Sequence, residues 1–151
     1  MGRVVRVAIA LGSNLGDRRA HLHAAIERLS AILTGVRVSA LIESDPVECD
    51  GPHRPYLNGV LVGETTLAAR ALFDELMAIE RAQGRERHGY HTARTLDLDL
   101  ILYGDAIIHE PGLTVPHPRF RDRPFVLGPL REIAPDLVDP ETGRRVGDLA
   151  C

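Results

Sequence analysis

Two aspartates separated by a single leucine lie within the apolar segment 96–102. Asp97 and Asp99 alternate there with leucines, and such alternation is typical of a β-strand whose two carboxylates point to the same face. At about 3.3 Å of rise per residue, their Cβ atoms would be about 6–7 Å apart. Mg²⁺ prefers oxygen ligands and is commonly held by one or two carboxylates together with substrate phosphates. The pair therefore indicates a metal and phosphate site, although an isolated motif of this kind is more often the solvated face of an ordinary strand.

Arginines precede this segment in the chain. Arg85, Arg87 and Arg94 carry positive charge, and guanidinium groups bind phosphate oxygens through charge-assisted hydrogen bonds. Residues 85–93 are otherwise polar and lack apolar periodicity, which predicts a mobile loop. Two acids and three arginines so close in sequence favour phosphate chemistry.

The composition limits the class of protein. The 151 residues, 44% of them hydrophobic and 26% charged, predict a single globular domain over 1–151. The formal net charge of −3 argues against a protein held to nucleic acid by a general basic surface. No apolar run approaches the length of a membrane span and no signal peptide is evident, so we expect a cytoplasmic protein without a membrane partner. Cys49 and Cys151 lack metal-binding spacing, which fits a reducing cytosol.

The elements that must position these residues follow a β-α-β-β-α-β order. Apolar β-branched segments predict strands, helical periodicity predicts helices, and Gly and Pro mark turns. The predicted strands are 4–11, 36–42, 56–64 and 96–103, and the predicted helices are 18–33, with Asp17 as N-cap, and 67–83. We expect a loop over 44–55 and a proline-rich tail of loops and short helices after residue 103. This order predicts an α+β, ferredoxin-like fold, an antiparallel sheet with two helices on one face.

Several further motifs could line a small-molecule site, and each also has a structural interpretation. Residues 12–17 form a glycine-containing turn that matches neither common phosphate-binding loop, so a tight turn is favoured. Tyr56 and Asn58 share a strand face and could stack on and hydrogen-bond a planar heterocycle, or else be a core tyrosine and a capping asparagine. Glu80 fits a solvated helix end, and His117 a structural or solvated histidine.

Taken together and in this order, these segments resemble the 6-hydroxymethyl-7,8-dihydropterin pyrophosphokinases of folate biosynthesis. The resemblance is carried by Gly12-Ser13-Asn14-Leu15-Gly16, Tyr56-Leu57-Asn58, Glu80 with Gln83-Gly84-Arg85, Arg94-Thr95-Leu96-Asp97-Leu98-Asp99, Thr114-Val115-Pro116-His117, Arg123 with Phe125, and Glu132-Ile133-Ala134-Pro135. It spans nearly the whole chain. It implies a ferredoxin-like fold and the transfer of pyrophosphate from ATP to the hydroxymethyl group of the dihydropterin, with AMP as second product and two Mg²⁺ ions.

The resemblance also implies a role for each matched residue. Asp97 and Asp99 would hold both magnesium ions, and Arg85 and Arg94 would be catalytic arginines that assist the transfer. The positions implied to contact ATP are Glu80, Arg87, Arg94, Thr114, His117 and Arg123. The positions implied to contact the pterin are Gly12, Ser44, Val47, Tyr56, Asn58 and Phe125, with Tyr56 and Phe125 on opposite faces of the ring. A monomer acting on these small molecules is the expected assembly.

The chain also departs from the family pattern. Tyr90-His91-Thr92-Ala93 stands where Arg-Trp-Gly-Pro is common, and Gly112 and Pro118 replace side chains that reach ATP in some members. The principal alternative is a non-catalytic ferredoxin-like binding module in which the acids and arginines are surface charge. An RNA-binding sheet would need aromatic and basic residues interleaved on its face, and the chain has only three Tyr, three Phe and no Trp.

Overall fold

The computed structural model describes residues 3–44, 55–83 and 95–150. The elements in chain order are β1 (Val5–Ser13), α1 (Arg18–Ile32), β2 (Thr34–Val38), β3 (Ile42–Ser44), β4 (Tyr56–Thr65), α2 (Ala69–Ala82), β5 (Asp97–Tyr103), β6 (Ile108–Glu110), β7 (Leu113–Val115) and α3 (Pro124–Ile133), with 3₁₀ turns at Phe120–Asp122 and Val146–Asp148. Asp17 caps α1 as predicted, because its Oδ1 accepts from the Ala20 N–H at 3.1 Å. The predicted strands and helices up to residue 103 are confirmed to within a few residues, apart from the segment between α1 and β4.

The main sheet is antiparallel and has the strand order β2-β4-β1-β5, with β3 also paired with β4. β1 is central and is buried continuously from Val7 to Ser13, which matches its uninterrupted apolar sequence. A β-α-β-β-α-β chain folded into one antiparallel sheet is the ferredoxin-like arrangement that the sequence predicts. β6 and β7 form a separate two-stranded hairpin that the sequence did not indicate.

The prediction of a single strand over 36–42 is wrong, because β2 ends at Val38 and β3 begins at Ile42. Ser39 lies in the break: its N–H donates to the Val60 carbonyl, and its hydroxyl accepts from the Val60 N–H, both at 2.9 Å. A side chain thus replaces a backbone carbonyl in the ladder. Leu41 then packs against Gly59, where an added Cβ would be 2.7 Å from Leu41 Cδ2.

Apolar layers cover both faces of the sheet. The two predicted helices α1 and α2 lie on one face, where buried leucines of both helices join the strands in one cluster. The other face is covered by α3, a helix of 10 residues in the tail for which the sequence predicted loops and short helices without locating them. The expectation that helices cover one face only is therefore incomplete.

The two prolines of α3 explain why the sequence pattern did not locate this helix. Pro124 stands at the start of the helix, where its missing N–H costs nothing, but Pro129 lies inside it. The buried side chains of Val126, Leu127 and Leu130 pack on the sheet and offset that loss. None of the helices within 3–44, 55–83 and 95–150 is long and apolar enough to cross a membrane.

The face beneath α3 extends beyond the apolar cluster. Strand alternation places Ala8, Ala10 and Gly12 of β1 on this face, and the register pairs Gly12 with Asn58 of β4 and Asp97 of β5. Ala8 and Ala10 belong to the apolar cluster with α3, whereas Gly12, Asn58 and Asp97 lie outside it. The sheet therefore carries an apolar half and a polar half on one face.

Candidate functional site

The floor of the candidate site is the polar half of this sheet face, where three adjacent strands meet. Gly12 on the middle strand has Asn58 and Asp97 as its register partners. A Cβ at Gly12 would be 3.3 Å from Tyr56 Cδ1 and 3.4 Å from Asn58 Oδ1. The absence of a side chain at Gly12 therefore lets the Tyr56 ring and the Asn58 amide pack closely against β1, beside Asp97.

The amide of Asn58 is buried and its orientation is fixed by its neighbours. Its Nδ2 donates to Ser44 Oγ at 2.7 Å and lies 3.3 Å from the carbonyl oxygens of Ile42 and Tyr56. Because acceptors surround the nitrogen, Oδ1 is the atom that faces Gly12. The floor thus presents a hydrogen-bond acceptor suited to an N–H group of a planar ring.

The carboxylate pair lies on β5 as the alternation predicts. Asp97 and Asp99 are half-buried and flank the buried Leu98. The Tyr56 hydroxyl donates to Asp97 Oδ2 at 3.4 Å, so the aromatic ring and this carboxylate adjoin. The residues described contain no group of three or more His, Cys, Asp or Glu placed to hold a metal. Two hard oxygen ligands nonetheless fit Mg²⁺, since phosphates and water complete its coordination shell.

A cavity of about 370 Å³ adjoins the pair, between β5, α2 and the hairpin of β6 and β7. This volume is typical of a small-molecule site. Its lining residues include Phe73, Met77, Glu80, Asp97, Asp99, Thr114 and His117. The cavity has an apolar wall from α2 and a polar wall from β5 and the segment that follows β7.

His117 is half-buried in this wall and follows a cis peptide bond between Val115 and Pro116. Burial, together with the positive charges of Arg123 and Arg119, lowers the pKa of His117 to about 4. Its Nδ1 accepts from the Arg119 N–H at 3.1 Å. The ring is therefore neutral near pH 7 with its proton on Nε2, and it can donate one hydrogen bond to a ligand oxygen.

We expect His117 to remain neutral between pH 5 and 8 and to titrate near pH 4 in the protein without ligands. In the unfolded chain this histidine has an ordinary pKa of about 6.5, so the unfolded state takes up the proton first. The contribution of His117 to stability is therefore complete above about pH 6.5 and falls as the pH approaches 4. NMR titration of the imidazole resonances measures the titration midpoint of His117, and the exposed His109 is recorded alongside. A His117 midpoint near 6.5 would contradict the lowered pKa.

Glu80 differs most from its sequence interpretation as a solvated helix end. Its side chain is buried, with the residue 2% exposed, and its Oε2 accepts from the Leu98 N–H at 2.7 Å. The sequence did hold a signal, because Glu80 follows Leu76 by four positions and so falls on the buried face of α2. Glu80 thus links α2 directly to the backbone of β5, at the residue between the two aspartates.

The remaining predicted residues divide into described and undescribed positions. Thr114 lies on β7, and Arg123 and Phe125 lie at the start of α3, with Arg123 Cζ 5.9 Å from the Phe125 ring centroid. Phe125 packs against the cluster beneath α3. The positions Val47, Arg85, Arg87 and Arg94 lie outside the described residues, as does the predicted mobile loop over 85–93.

The fold and the site define a ferredoxin-like α+β protein with a carboxylate pair between the polar half of a sheet face and a cavity of small-molecule size. Residues 8–135 match the model of the family described as 7,8-dihydro-6-hydroxymethylpterin-pyrophosphokinase (HPPK). The chain belongs to this family, which confirms the resemblance noted in the sequence.

Relatives and a solved structure agree with this placement. A 2-amino-4-hydroxy-6-hydroxymethyldihydropteridine pyrophosphokinase of Pseudomonas aeruginosa is 42% identical over 153 residues, covering 98% of this chain and 93% of the relative. The protein of the same name from Synechocystis is 42% identical over 142 residues, covering 93% of this chain and 72% of the relative. The crystal structure of Plasmodium falciparum HPPK-DHPS with pteroate superposes with a TM-score of 0.77 at 11% identity, over 97% of this chain and 44% of that chain. This last likeness supports the fold alone.

Proposed function

We propose that this chain transfers pyrophosphate from ATP to the hydroxymethyl group of 6-hydroxymethyl-7,8-dihydropterin, giving AMP and the pterin diphosphate in folate biosynthesis. Family membership and the names of the relatives support this reaction. The geometric observation that carries it is the position of Asp97 and Asp99. Asp97 adjoins Gly12 on the floor, and both aspartates line the cavity, so two substrates could meet at the carboxylate pair.

In this proposal the pterin lies over Gly12, with Tyr56 and Phe125 on opposite faces of the ring. The Asn58 Oδ1 would accept a hydrogen bond from a ring N–H, and the Ser44 hydroxyl holds the amide in that orientation. Val47 completes the proposed pterin set. The hydroxymethyl group would then point toward Asp97.

ATP would occupy the cavity beside β5, within reach of Thr114 and the neutral His117. His117 would donate its Nε2 proton to a phosphate oxygen, and the Arg123 guanidinium would add positive charge nearby. Arg85, Arg87 and Arg94 complete the proposed set of phosphate contacts, with Arg85 and Arg94 assisting the transfer. Glu80 is the remaining proposed ATP contact.

The chemistry of such a transfer is mainly positioning and neutralisation of phosphate charge. Asp97 and Asp99 would hold two magnesium ions, which when bound neutralise phosphate charge and lower the pKa of the attacking hydroxyl. Asp97 and Asp99 therefore serve as ligands first, and the proposal requires no side chain to act as a strong base. The half-buried setting of the pair strengthens each charge interaction relative to bulk water.

The direct test is product analysis with the full chain, ATP, Mg²⁺ and the dihydropterin. We expect AMP and pterin diphosphate in equal amounts, and no AMP when either Mg²⁺ or the pterin is omitted. Binding of the substrates without AMP release would instead indicate a non-catalytic binding module. Formation of ADP would show transfer of one phosphoryl group and would contradict a pyrophosphokinase.

Removing either aromatic ring should weaken pterin binding selectively. Tyr56→Ala or Phe125→Ala removes a stacking surface worth about 1–3 kcal/mol, so we expect the Kd for the pterin to rise roughly 5- to 150-fold. The Kd for ATP alone should change by less than about 3-fold. Calorimetric titration with each ligand measures both.

Phe73→Ala provides the matched control for this pair, since Phe73 lines the cavity rather than the floor. It should weaken ATP binding and leave pterin binding nearly unchanged. If all three variants lost affinity for both ligands equally, the separation into pterin floor and ATP cavity would be wrong.

We further propose a single catalytic domain that works as a monomer in the cytoplasm on small-molecule substrates, without a nucleic-acid or membrane partner. The net charge of −3 supports the view that anionic substrates are bound by a local cluster of arginines rather than by a basic surface. Sedimentation velocity at micromolar concentration tests the monomer, and a dimer would contradict it.

A further inference from the structure

β5 lies at the edge of the main sheet, and at Leu98 its outer side is bound by a side chain rather than by a neighbouring strand. In the order β2-β4-β1-β5, the one strand paired with β5 among residues 3–44, 55–83 and 95–150 is β1. The Leu98 N–H points away from β1 and donates to Glu80 Oε2 at 2.7 Å. A hydrogen bond from a peptide N–H to a carboxylate is stronger than one between neutral groups. Glu80 is 2% exposed, so water competes little for this contact.

A second contact joins the end of α2 to the segment that leads into β5, three residues before Leu98. The Thr95 hydroxyl donates to the Gln83 carbonyl at 3.1 Å, and Gln83 follows Glu80 by three residues at the end of α2. The contacts at Thr95 and Leu98 bracket Asp97 along the chain. The last turn of α2 therefore holds the segment that carries the carboxylate pair.

The opposite edge of this segment is fixed by the sheet. Register pairs join Gly12 to Asp97 and Ala10 to Asp99 across β1 and β5. Leu98, whose N–H is bound to Glu80, lies between the two aspartates. The direction of both carboxylates thus depends on one peptide plane held from β1 on one side and from Glu80 on the other.

We propose that Glu80 is a positioning residue, which fixes the Leu98 peptide and thereby the separation and direction of the Asp97 and Asp99 carboxylates for metal binding. This role rests on the proposed function and is additional to the ATP contact proposed for Glu80. Without an acceptor, the Leu98 N–H would be buried unpaired or would rotate toward water. Either change would tilt the adjacent side chains, and small displacements of catalytic groups carry large kinetic costs.

Two substitutions separate this role from a direct contact with ATP. Glu80→Gln keeps the length of the side chain and an acceptor oxygen for Leu98, whereas Glu80→Leu keeps comparable bulk without an acceptor. We expect Glu80→Leu to lower kcat at least about 10-fold and to raise the Mg²⁺ concentration for half-maximal rate several-fold. Glu80→Gln should lower kcat and alter the Mg²⁺ requirement clearly less than Glu80→Leu does, because it keeps an acceptor for the Leu98 N–H. Glu75→Leu, at an exposed position of the same helix, is the control and should leave kcat and the Mg²⁺ requirement unchanged.

Exchange of the Leu98 amide hydrogen tests the contact without any reaction. In the ligand-free full chain this amide should exchange slowly in wild type and Glu80→Gln, and at least about 10-fold faster in Glu80→Leu. Because this readout is independent of turnover, it remains valid if the wild-type chain transfers no pyrophosphate. Failure of the proposed function and failure of this inference are therefore distinguishable.

Three outcomes would overturn the inference. One is an equal loss of kcat in Glu80→Gln and Glu80→Leu, which would make the charge and not the acceptor responsible. Another is a rise in the KM for ATP with kcat and the Mg²⁺ requirement unchanged in Glu80→Leu. The third is an unchanged exchange rate of the Leu98 amide in that variant.

Thr95→Val keeps the inference testable if Glu80→Leu does not fold. This variant removes the hydroxyl that reaches Gln83 and should raise the Mg²⁺ requirement in the same direction by a smaller factor. An unaltered Mg²⁺ requirement in a folded Thr95→Val protein would count against positioning by the end of α2.

Discussion

Replacement of Asp97 by asparagine should lower kcat by about 10²-fold or more, and Asp99→Asn should do the same. Each change preserves the size and shape of the side chain but removes a negative charge that a bound metal requires. The fold should persist, because both side chains are half-buried on an edge strand and lie outside the apolar clusters. Thermal unfolding should therefore show a change in stability below about 1 kcal/mol.

Two comparisons make this expectation decisive. Asp105→Asn, at an exposed turn position just after β5, removes the same charge outside the cavity and should leave kcat unchanged. Raising Mg²⁺ should restore the single variants at β5 only in part, since the missing ligand itself cannot be replaced. Turnover near wild type in Asp97→Asn at saturating Mg²⁺ would show that the pair is ordinary strand charge.

The element order and the carboxylate pair were accessible from the sequence because each rests on a local pattern. Alternation alone places Asp97 and Asp99 on one strand face, and Asp17 before a helical repeat marks the start of α1. The position of α3 within the tail was not accessible, since its prolines interrupt the local pattern and its packing on the apolar sheet face is what favours a helix there. Tertiary packing therefore stabilises α3 although its local sequence is unfavourable for a helix.

The hydrogen-bond partners of the site residues could not be predicted from the sequence either. Ser44 holds the amide of Asn58, and Tyr56 reaches Asp97, yet these contacts follow from strand register, which apolar patterns constrain only where a face is buried. Glu80 shows the opposite case. Its helical spacing from Leu76 places it on the buried face of α2, whereas its charge favours an exposed position. The structure shows that the Leu98 N–H is a partner that allows this carboxylate to be buried.

The tail that carries His117 and Arg123 is held by a buried ionic cluster around Asp139. The Asp139 carboxylate is fully buried and receives two hydrogen bonds from Arg121, at 2.5 and 2.7 Å. The Glu141 N–H and the Thr142 hydroxyl donate to it at 3.1 and 3.0 Å. Burial raises the pKa of Asp139, but the hydrogen bonds from Arg121, Glu141 and Thr142 outweigh that effect and hold the pKa below its ordinary value.

Asp139→Ala should therefore destabilise the protein by about 2–4 kcal/mol, because it removes the buried acceptor of two hydrogen bonds from Arg121 and of those from Glu141 and Thr142. The control is Asp148→Ala, which removes an exposed ion pair of 3.6 Å with Arg145 and should cost less than about 1 kcal/mol. Chemical denaturation at pH 7 measures both changes.

The same cluster predicts how the effect of Asp139→Ala depends on pH. Because the pKa of Asp139 is lower in the folded state than its value of about 3.9 in the unfolded chain, its stabilisation is complete above pH 4 and is lost as the pH falls through the folded-state pKa. The gap in unfolding free energy between wild type and Asp139→Ala should stay constant from pH 7 to about 5 and narrow below pH 4. A gap that stayed the same down to pH 2.5 would show that packing of the side chain, and not its charge, holds the tail against the sheet.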